Sequence, residues 1–420
     1  MRLPALANPF GKNFRVAAMA ISALLAAVNP AESQTWTQAS ASTNFWSGVA
    51  CSADGKKLYA CAGGGGAGAY VGGPRLIYAS TDGGMTWTPT GAPSNYWAGV
   101  ACSADGTRVL AAASGYYTAQ NGGLYTSIDS GVDWTSNQVP AQPWTALACS
   151  ADGSKLFAVT KAGRLFLSLD YGTNWESAAA PDGAWTIACS ADGTRLIAAL
   201  SHICLSTNSG LTWSTNTAVS STRWWSVASS AEGKVLAAVD GAGAPFGRIV
   251  TSTNFGESWI TNKVPLLSWQ NIALSADGTK VLAAAWHDSG SVVGPVYTTT
   301  NSGATWLSNA LPALVWEGTG CSADGNRMVL VSAGTNLASL GMGRIFTLKS
   351  VSAPRLDVAA INGIQISWVL PSTDYVVKQS LDLSNWMVFP DTPVLNLANL
   401  HDMVTISASN ASGFFRLGSP

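Results

Sequence analysis

Short runs of apolar residues, divided by tight polar turns, fill most of this chain. In one copy of the pattern the runs lie at residues 46–52, 57–61, 76–80 and 86–90. The turn Ala53-Asp54-Gly55 divides the first two runs, and a glycine-rich stretch at 63–73 precedes the third. Runs of this length between Gly- and Asp-rich turns predict antiparallel strands. The pattern therefore predicts four strands for each copy.

The copy recurs seven times, each with a Ser-Ala-Asp-Gly turn (Glu232 replaces the Asp in the fifth), and these turns are 40 to 51 residues apart. A tryptophan leads into every turn. The lead tryptophans are Trp46, Trp97, Trp144, Trp185, Trp224, Trp269 and Trp316. Repeats of this period with four strands each are typical of the blades of a β-propeller.

A second motif, Ser/Thr-x-Asp/Asn-x-Gly-x-x-Trp, follows the third strand in six of the copies, and we call it the box turn. Its acid or amide is Asp82, Asp129, Asp170, Asn208, Asn254 or Asn301. The Asp or Asn side chain can accept backbone N–H groups, Gly can take a positive φ, and Trp can cover the hairpin. Because half of the copies carry Asn, we expect a structural role rather than catalysis or calcium binding.

Six box turns for seven leads leave the last copy one strand short. Its third strand, at 343–349, has no box turn after it, whereas residues 34–39 match the strand that follows each box turn. We therefore expect the mature N-terminus to lie beside Phe346 and close the ring, which would remove two exposed sheet edges. The predicted fold is all-β: a seven-bladed propeller at 34–350, closed by its N-terminal strand.

The two ends of the chain differ from the repeats. Residues 1–33 have Arg2, Lys12 and Arg15 before an apolar run at 16–28 and then small residues, which is typical of a secretory signal peptide. That run is too short to span a bilayer as a helix. Residues 355–420 carry further alternating runs and predict a small C-terminal β-sandwich-like module.

The charge and cysteine content of the chain exclude some classes of partner and of chemistry. Only 11% of the 420 residues are charged, the formal net charge is −1, and no Lys/Arg block occurs. We expect no nucleic-acid partner and no membrane span after signal cleavage. Five of the seven cysteines occupy the position before the turn, where Ser229 and Leu274 stand in the other copies, so we expect mostly free, buried thiols. Cys51 with Cys61 is the one conceivable disulfide. The isolated histidines His202 and His287 predict no metal site, and we expect no cofactor.

The box turns quoted above resemble the Asp-box, or bacterial neuraminidase, repeat. That repeat occurs in sialidases, paired-propeller glucan hydrolases, the sortilin ectodomain and photosystem II assembly factors. The Ser-Ala-Asp-Gly turns are also similar to those of bacterial YVTN-type propellers. The resemblance covers about residues 34–350 and implies the fold, whereas the related groups differ in activity.

Loops at the mouth of such a propeller would carry a ligand site. The side chains that we expect there are Tyr70, Tyr116, Tyr117, Asp240, Trp286, His287 and Asp288. Trp286 stands out because the repeat does not account for it, although it can also fold back over its own loop. Glu317 and Trp225, each directly after a lead tryptophan, either point into the channel or pack in the core.

We expect an exported, monomeric binding or scaffold protein that is secreted, periplasmic or at the cell surface. Its ligand would be a glycan or an extracellular protein. The alternative is a sialidase-like glycoside hydrolase. The resemblance to sialidases would imply three arginines that clamp a carboxylate. Arg164, Arg248 and Arg344 instead occupy equivalent positions of the repeat, which favours a structural role. No pair of carboxylates suited to glycoside hydrolysis is apparent either.

Overall fold

The structure is a computed structural model. It describes residues 35–63, 75–113, 122–179, 183–199, 201–220, 223–241, 247–287, 294–334, 343–350, 356–360, 364–369, 376–380, 385–391, 393–406 and 414–418. The fold is all-β, and no α-helix occurs within these ranges. Accordingly, the described residues contain no helix long and apolar enough to cross a membrane.

After a short first strand, β1 (Trp36–Gln38), come five successive four-stranded antiparallel sheets. The first two comprise β2 (Trp46–Cys51), β3 (Leu58–Ala62), β4 (Ile77–Ser80), β5 (Thr88–Pro89), and β6 (Trp97–Cys102), β7 (Val109–Ala113), β8 (Leu124–Ser127), β9 (Thr135–Ser136). The next two comprise β10 (Trp144–Cys149), β11 (Leu156–Thr160), β12 (Arg164–Ser168), β13 (Glu176–Ala179), and β14 (Thr186–Cys189), β15 (Leu196–Ala199), β16 (His202–Ser206), β17 (Ser214–Ser220). The fifth comprises β18 (Trp224–Ser229), β19 (Leu236–Asp240), β20 (Ile249–Ser252) and β21 (Ile260–Thr261).

The following sheet has seven strands in the order β1-β27-β26-β25-β24-β23-β22. Its members besides β1 are β22 (Ser268–Leu274), β23 (Val281–His287), β24 (Gly294–Thr299), β25 (Leu307–Cys321), β26 (Arg327–Gly334) and β27 (Ile345–Lys349). The long β25 explains the size of this sheet. Its first part pairs with β24 and its second part with β26, so two four-stranded units share one strand.

The N-terminal strand pairs where the sequence predicted. β1 runs antiparallel to β27, with Thr37 opposite Thr347 and Gln38 opposite Phe346. The Trp36 indole N–H donates to Asn309 Oδ1 at 2.9 Å, which also ties β1 to β25. The first described segment of the chain thus forms the outer strand of the unit that contains its last repeat.

Backbone hydrogen bonds connect the seven Ser-Ala turns in a cycle. The alanine N–H of each turn donates to the alanine carbonyl of the next turn at 2.7 to 2.8 Å, and the last donates to the first. The alanines, in order, are Ala53, Ala104, Ala151, Ala191, Ala231, Ala276 and Ala323. We call this cycle the alanine ring. It gives the N–H and carbonyl groups of these alanines the hydrogen-bond partners that buried backbone groups need.

The hydrophobic core lies in the seams between adjacent sheets. Trp97 of β6, for example, is fully buried in a cluster with Tyr59 and Ile77 of the preceding sheet. Its indole N–H donates to the Arg75 carbonyl at 3.1 Å, and its ring meets Tyr125 edge-on at 5.3 Å. Such an edge-to-face pair adds about 0.5–1.5 kcal/mol to the gain from area burial. Adjacent sheets therefore form each core cluster together.

The prediction of seven lead tryptophans was wrong in the fourth copy. Thr186 pairs with Ala199 as Gly48 pairs with Cys61 in the first copy. Counting from these pairs, buried Ala184 takes the lead position and Trp185 the position after it. The sequence misled because aligning the copies on their tryptophans shifts this copy by one residue.

The box turns join the third and fourth strands. In the first copy, the amides of Met85 and Thr86 donate to Asp82 Oδ1 at 2.9 and 3.0 Å, and Gly84 has a φ of 92°. The Trp87 indole N–H closes the turn on the Gly84 carbonyl at 3.0 Å. An asparagine copy works in the same way: Asn208 Oδ1 accepts the Thr212 amide at 2.9 Å while its amide group donates to the Thr212 hydroxyl.

The C-terminal residues form two small sheets that share one core. The strands are β28 (Leu356–Ala360), β29 (Ile364–Val369), β30 (Val376–Ser380), β31 (Met387–Val388), β32 (Val394–Asn396), β33 (His401–Ile406) and β34 (Phe414–Gly418). Their orders are β28-β29-β33-β32 and β31-β30-β34. Trp368 and Ile406 of one sheet and Val377 of the other are buried together.

Leu400, in the turn before β33, reaches the alanine ring. Its side chain packs against the ring alanines and lines a cavity of about 170 Å³ at that end of the channel. Leu400 has a φ of 57°, which is uncommon for a bulky residue, and its amide donates to the Asn396 carbonyl at 2.8 Å. We call this contact the leucine plug.

All seven cysteines are free. The five at the repeat position line the cavity beneath the leucine plug and are half-buried, whereas Cys61 and Cys204 are buried. Burial raises the pKa of the Cys61 thiol to about 12. The expectation of free thiols is confirmed, and the conceivable bond between Cys51 and Cys61 is absent.

Removing β1 should destabilise the protein more than its length suggests. Deletion of residues 35–39 would expose the edge of β27 and remove the Trp36 and Ala39 packing, so we expect a loss of about 2–4 kcal/mol. Differential scanning calorimetry would measure it against Gln38→Ala, which removes only the exposed hydrogen bond to Arg344 and should cost about 0.5 kcal/mol or less. Equal melting temperatures for both variants would contradict this role of β1.

The box acids should stabilise the fold through the hydrogen bonds that their side-chain oxygen atoms accept. We expect Asp82→Ala to cost about 1 kcal/mol, as loss of a capping residue does, and Asp82→Asn clearly less because Asn208 makes the same bonds. Burial opposes ionisation, but the Thr86, Ser80 and Met85 donors outweigh it and lower the pKa of Asp82 to about 2.

Because the folded pKa is below the unfolded value, this stabilisation is present above about pH 4 and is lost as the pH falls through about 2. Chemical denaturation should therefore show that the difference in unfolding free energy between the natural protein and Asp82→Ala is smaller at pH 2 than at pH 6. A difference that stays constant would mean that the carboxylate bonds do not stabilise the fold.

Candidate functional site: the axial cavity

The first strands of all seven repeats line one cavity of about 250 Å³, which we call the axial cavity. Two consecutive positions of each repeat supply most of its wall. The position after the lead residue forms what we call the variable ring: Ser47, Ala98, Thr145, Trp185, Trp225, Gln270 and Glu317. The next position supplies Gly48, Gly99, Ala146, Thr186, Ser226, Asn271 and Gly318.

The variable ring differs from every packed position of the repeat. The lead position is Trp in six copies, and the turn is Ser-Ala in all seven. In the variable ring the copies instead carry hydroxyl, methyl, indole, amide and carboxylate groups. Since these side chains face a cavity, seam packing does not restrict them, and their diversity makes the wall chemically asymmetric.

One side of the variable ring is aromatic. The rings of Trp185 and Trp225 meet edge-on, with centroids 6.5 Å apart. The guanidinium of Arg223 lies 4.0 Å from the Trp225 ring centroid and 5.0 Å from that of Trp185. Cation–π contacts at these distances hold both indoles in place. The Trp225 indole N–H is buried without a hydrogen-bond partner, so this wall offers a ligand the face of the ring rather than a donor.

Glu317 contributes the charge of the cavity. It is the one ionisable side chain among the described residues that line it. Glu317 is half-buried, and it faces the cavity. Burial raises its pKa from 4.5 to about 8. A carboxyl group of this kind is protonated at neutral pH unless a cation joins it.

The remaining wall is polar and braced. Ser47 donates to the Trp97 carbonyl at 2.7 Å, and Asn271 donates to the Trp316 carbonyl at 3.2 Å. Each bond connects a first strand to the next repeat. The Thr145 hydroxyl donates to the Val159 carbonyl at 3.3 Å within its own sheet. These contacts fix the side chains and leave oxygen atoms that can accept from a ligand.

The structure describes three of the predicted mouth residues, and none of the three lines the axial cavity. Trp286 packs against Phe45, Val315 and Ala333, which agrees with the alternative that it folds back, and it does not line the axial cavity. Half-buried Asp240 pairs with Trp224 at the end of β19, and the backbone of His287 pairs with Ser268. Tyr70, Tyr116, Tyr117 and Asp288 lie outside the described residues.

Two residues for which the sequence left a choice line the cavity: Trp225 and Glu317. Sequence reasoning missed Trp185 and the smaller members of the variable ring. Aligning the copies on the Ser-Ala turn, instead of on the tryptophans, would have put Trp185 in register with Trp225 and marked the position as the variable one. The described residues contain no cluster of His, Cys, Asp and Glu suited to a metal ion.

No protein-family model and no curated protein matches the chain. Solved structures share its fold. A GH74 xyloglucanase from Xanthomonas campestris matches with a TM-score of 0.56 and 15% identity over 80% of this chain and 59% of the enzyme. The chain thus spans about three-fifths of the enzyme's length.

YCF48 from Cyanidioschyzon merolae matches with a TM-score of 0.54 and 14% identity, over 75% of this chain and 98% of YCF48. A YCF48 bound to D1 peptide matches with a TM-score of 0.51 and 15% identity, over 76% of this chain and 96% of the other. These neighbours are β-propellers, and at such identities the likeness shows the fold alone. We conclude that the chain has a β-propeller-like fold.

The Glu317 carboxyl group should make stability depend on pH. Its folded pKa is above the unfolded value, so the folded state holds a proton that the unfolded state releases between about pH 4.5 and 8. The unfolding free energy should fall across this window. In Glu317→Gln this contribution should vanish, leaving the variant more stable than the natural protein at pH 8.5 and similar at pH 4.5.

Urea denaturation at both pH values measures this effect, with the exposed Glu176→Gln as the matched control. If Glu317→Gln followed the same pH profile as the natural protein and Glu176→Gln, the carboxyl group would not be buried as described.

Proposed function

We propose that this chain is an exported, non-catalytic binding or scaffold protein that takes its ligand at the axial cavity. The observation that carries the proposal is the variable ring: hydroxyl, methyl, indole, amide and carboxyl groups face the cavity from equivalent positions, whereas the lead position is Trp in six copies and the turn is Ser-Ala in all seven. Packing does not require that variation, whereas recognition of an asymmetric ligand does.

The architecture that we propose is a closed seven-bladed Asp-box propeller at residues 34–350. The alanine ring, with seven members, and the pairing of β1 with β27 support the blade number and the closure. We further propose a signal peptide at 1–33, a C-terminal module at 355–420, and a monomer that acts in the periplasm, at the cell surface or outside the cell.

A glycan is the first ligand class that we propose. Indole rings beside amide and hydroxyl groups offer both apolar contact and hydrogen bonding, the combination that a sugar requires. The mouth loops that carry Tyr70, Tyr116, Tyr117, Asp240, Trp286, His287 and Asp288 would extend the site. A protein partner is the second class, supported by the likeness to a YCF48 bound to D1 peptide.

A glycoside hydrolase is the competing function. The likeness to a xyloglucanase favours it, and the raised pKa of Glu317 would suit a general acid. Hydrolysis by the common mechanisms needs two carboxyl groups on one bond, and Glu317 is the one carboxylate among the described lining residues. We therefore rank binding above hydrolysis.

A glycan array that records both retained protein and released sugar would test the proposal. We expect retention without release, and we expect Trp225→Ala to weaken retention at least about tenfold, a typical cost of removing a central aromatic anchor. Sugar release would make the protein a hydrolase, and silence in both channels would move the ligand class to protein.

The matched control is Trp386→Ala in the C-terminal module. Trp386 also makes a cation–π contact, since the guanidinium of Arg416 lies 4.0 Å from its ring centroid. Trp386 does not line the axial cavity. Retention should be unchanged in this variant. If both tryptophan variants lost retention equally, the ligand site would not be the axial cavity.

A further inference from the structure

The Glu317 carboxyl group has no partner among the residues that the structure describes. No hydrogen bond or ion pair joins it to a described residue, and burial is the one influence on its pKa. The guanidinium of Arg223 lies over the indoles of Trp185 and Trp225, and it is not part of the cavity wall. The charged wall of the cavity therefore lacks its counter-ion.

An unpaired carboxyl group at this position lowers the stability of the fold when it is ionised. Burying an ionisable group without a partner is unfavourable, and a neutral residue would fill the same position at lower cost. Six other copies of the repeat do place uncharged residues there. A cationic group brought by the ligand would supply the missing partner and make the buried carboxylate favourable.

We propose that the axial cavity binds an amino sugar residue, with its protonated amine held against the carboxylate of Glu317. This inference rests on the proposed glycan-binding function and specifies its ligand. The amine would donate to Glu317, while sugar hydroxyls would meet the polar wall and the apolar face of the sugar would lie near the indoles.

The polar wall favours an amino sugar over an aliphatic amine. A lysine-like chain would place methylene groups against Gln270, Asn271 and Thr319, which offer hydrogen bonds that methylenes cannot use. A pyranose presents hydroxyl groups all around its ring. The volume of about 250 Å³ is just below the usual range for ligand pockets, so the cavity would hold one sugar residue.

Isothermal titration calorimetry at pH 6 with glucosamine, N-acetylglucosamine and glucose would test the inference. The three sugars share a ring and differ in the group at one carbon. We expect glucosamine to bind more tightly than the other two, because only its ammonium group can donate to the Glu317 carboxylate, and the cost of removing the carboxyl proton at this pH reduces the preference. In Glu317→Gln this preference should disappear, and in the exposed Glu176→Gln it should persist.

Proton release gives a second readout that a structural role would not move. At pH 6 the free carboxyl group and the free amine are both protonated, so forming the carboxylate–ammonium pair should release close to one proton per glucosamine. The binding heat should then depend on the ionisation enthalpy of the buffer. Glucose, and glucosamine with Glu317→Gln, should release none.

The outcomes separate this inference from the proposed function. Equal binding of all three sugars, unaffected by Glu317→Gln, would overturn the amine contact and leave glycan binding standing. Tighter binding of Nα-acetyl-lysine amide than of glucosamine, still dependent on Glu317, would overturn the sugar in favour of a polypeptide. No binding of any sugar, together with a silent glycan array, would overturn both.

Discussion

The alanine ring is the constraint on which the rest of the structure depends. Seven backbone hydrogen bonds of 2.7 to 2.8 Å connect the turns of successive repeats, and the last returns to the first. No repeat can bury its own hydrophobic surface, since each seam uses residues of two sheets. Fixing the turns at one end sets the spacing at which those seams close, and the β1–β27 pair fixes the outer edge.

Much of the fold could be predicted from local chemistry, because turns and strands are determined by a few neighbouring residues. Asp82 and Gly84, for example, specify the box turn through hydrogen bonds within a few residues. The match of 34–39 to a fourth strand likewise predicted the pairing with β27. The site was harder to predict. Trp185 resembles a lead tryptophan in sequence, and only pairing of Thr186 with Ala199 shows that it faces the cavity. For Trp286 the sequence left open exposure or folding back, because its packing on Phe45 depends on contacts distant in sequence.

The repeat separates stability from recognition within one strand. Alternate positions of β25, for example, put Trp316 into a seam and Glu317 into the cavity. The seam residue is held nearly constant among the copies because both neighbouring sheets pack on it. The next residue faces the cavity, so its side chain can change without disturbing a seam. This arrangement lets seven similar units build a chemically asymmetric wall.

The leucine plug lies at one end of the channel. Leu400 packs against the alanine ring at the end opposite the variable ring, and the protein holds it there in an uncommon backbone conformation. If the ligand is a polymer, as proposed, Leu400 would obstruct its passage past the alanine ring. Chain ends and branch tips would then enter the axial cavity more readily than internal segments.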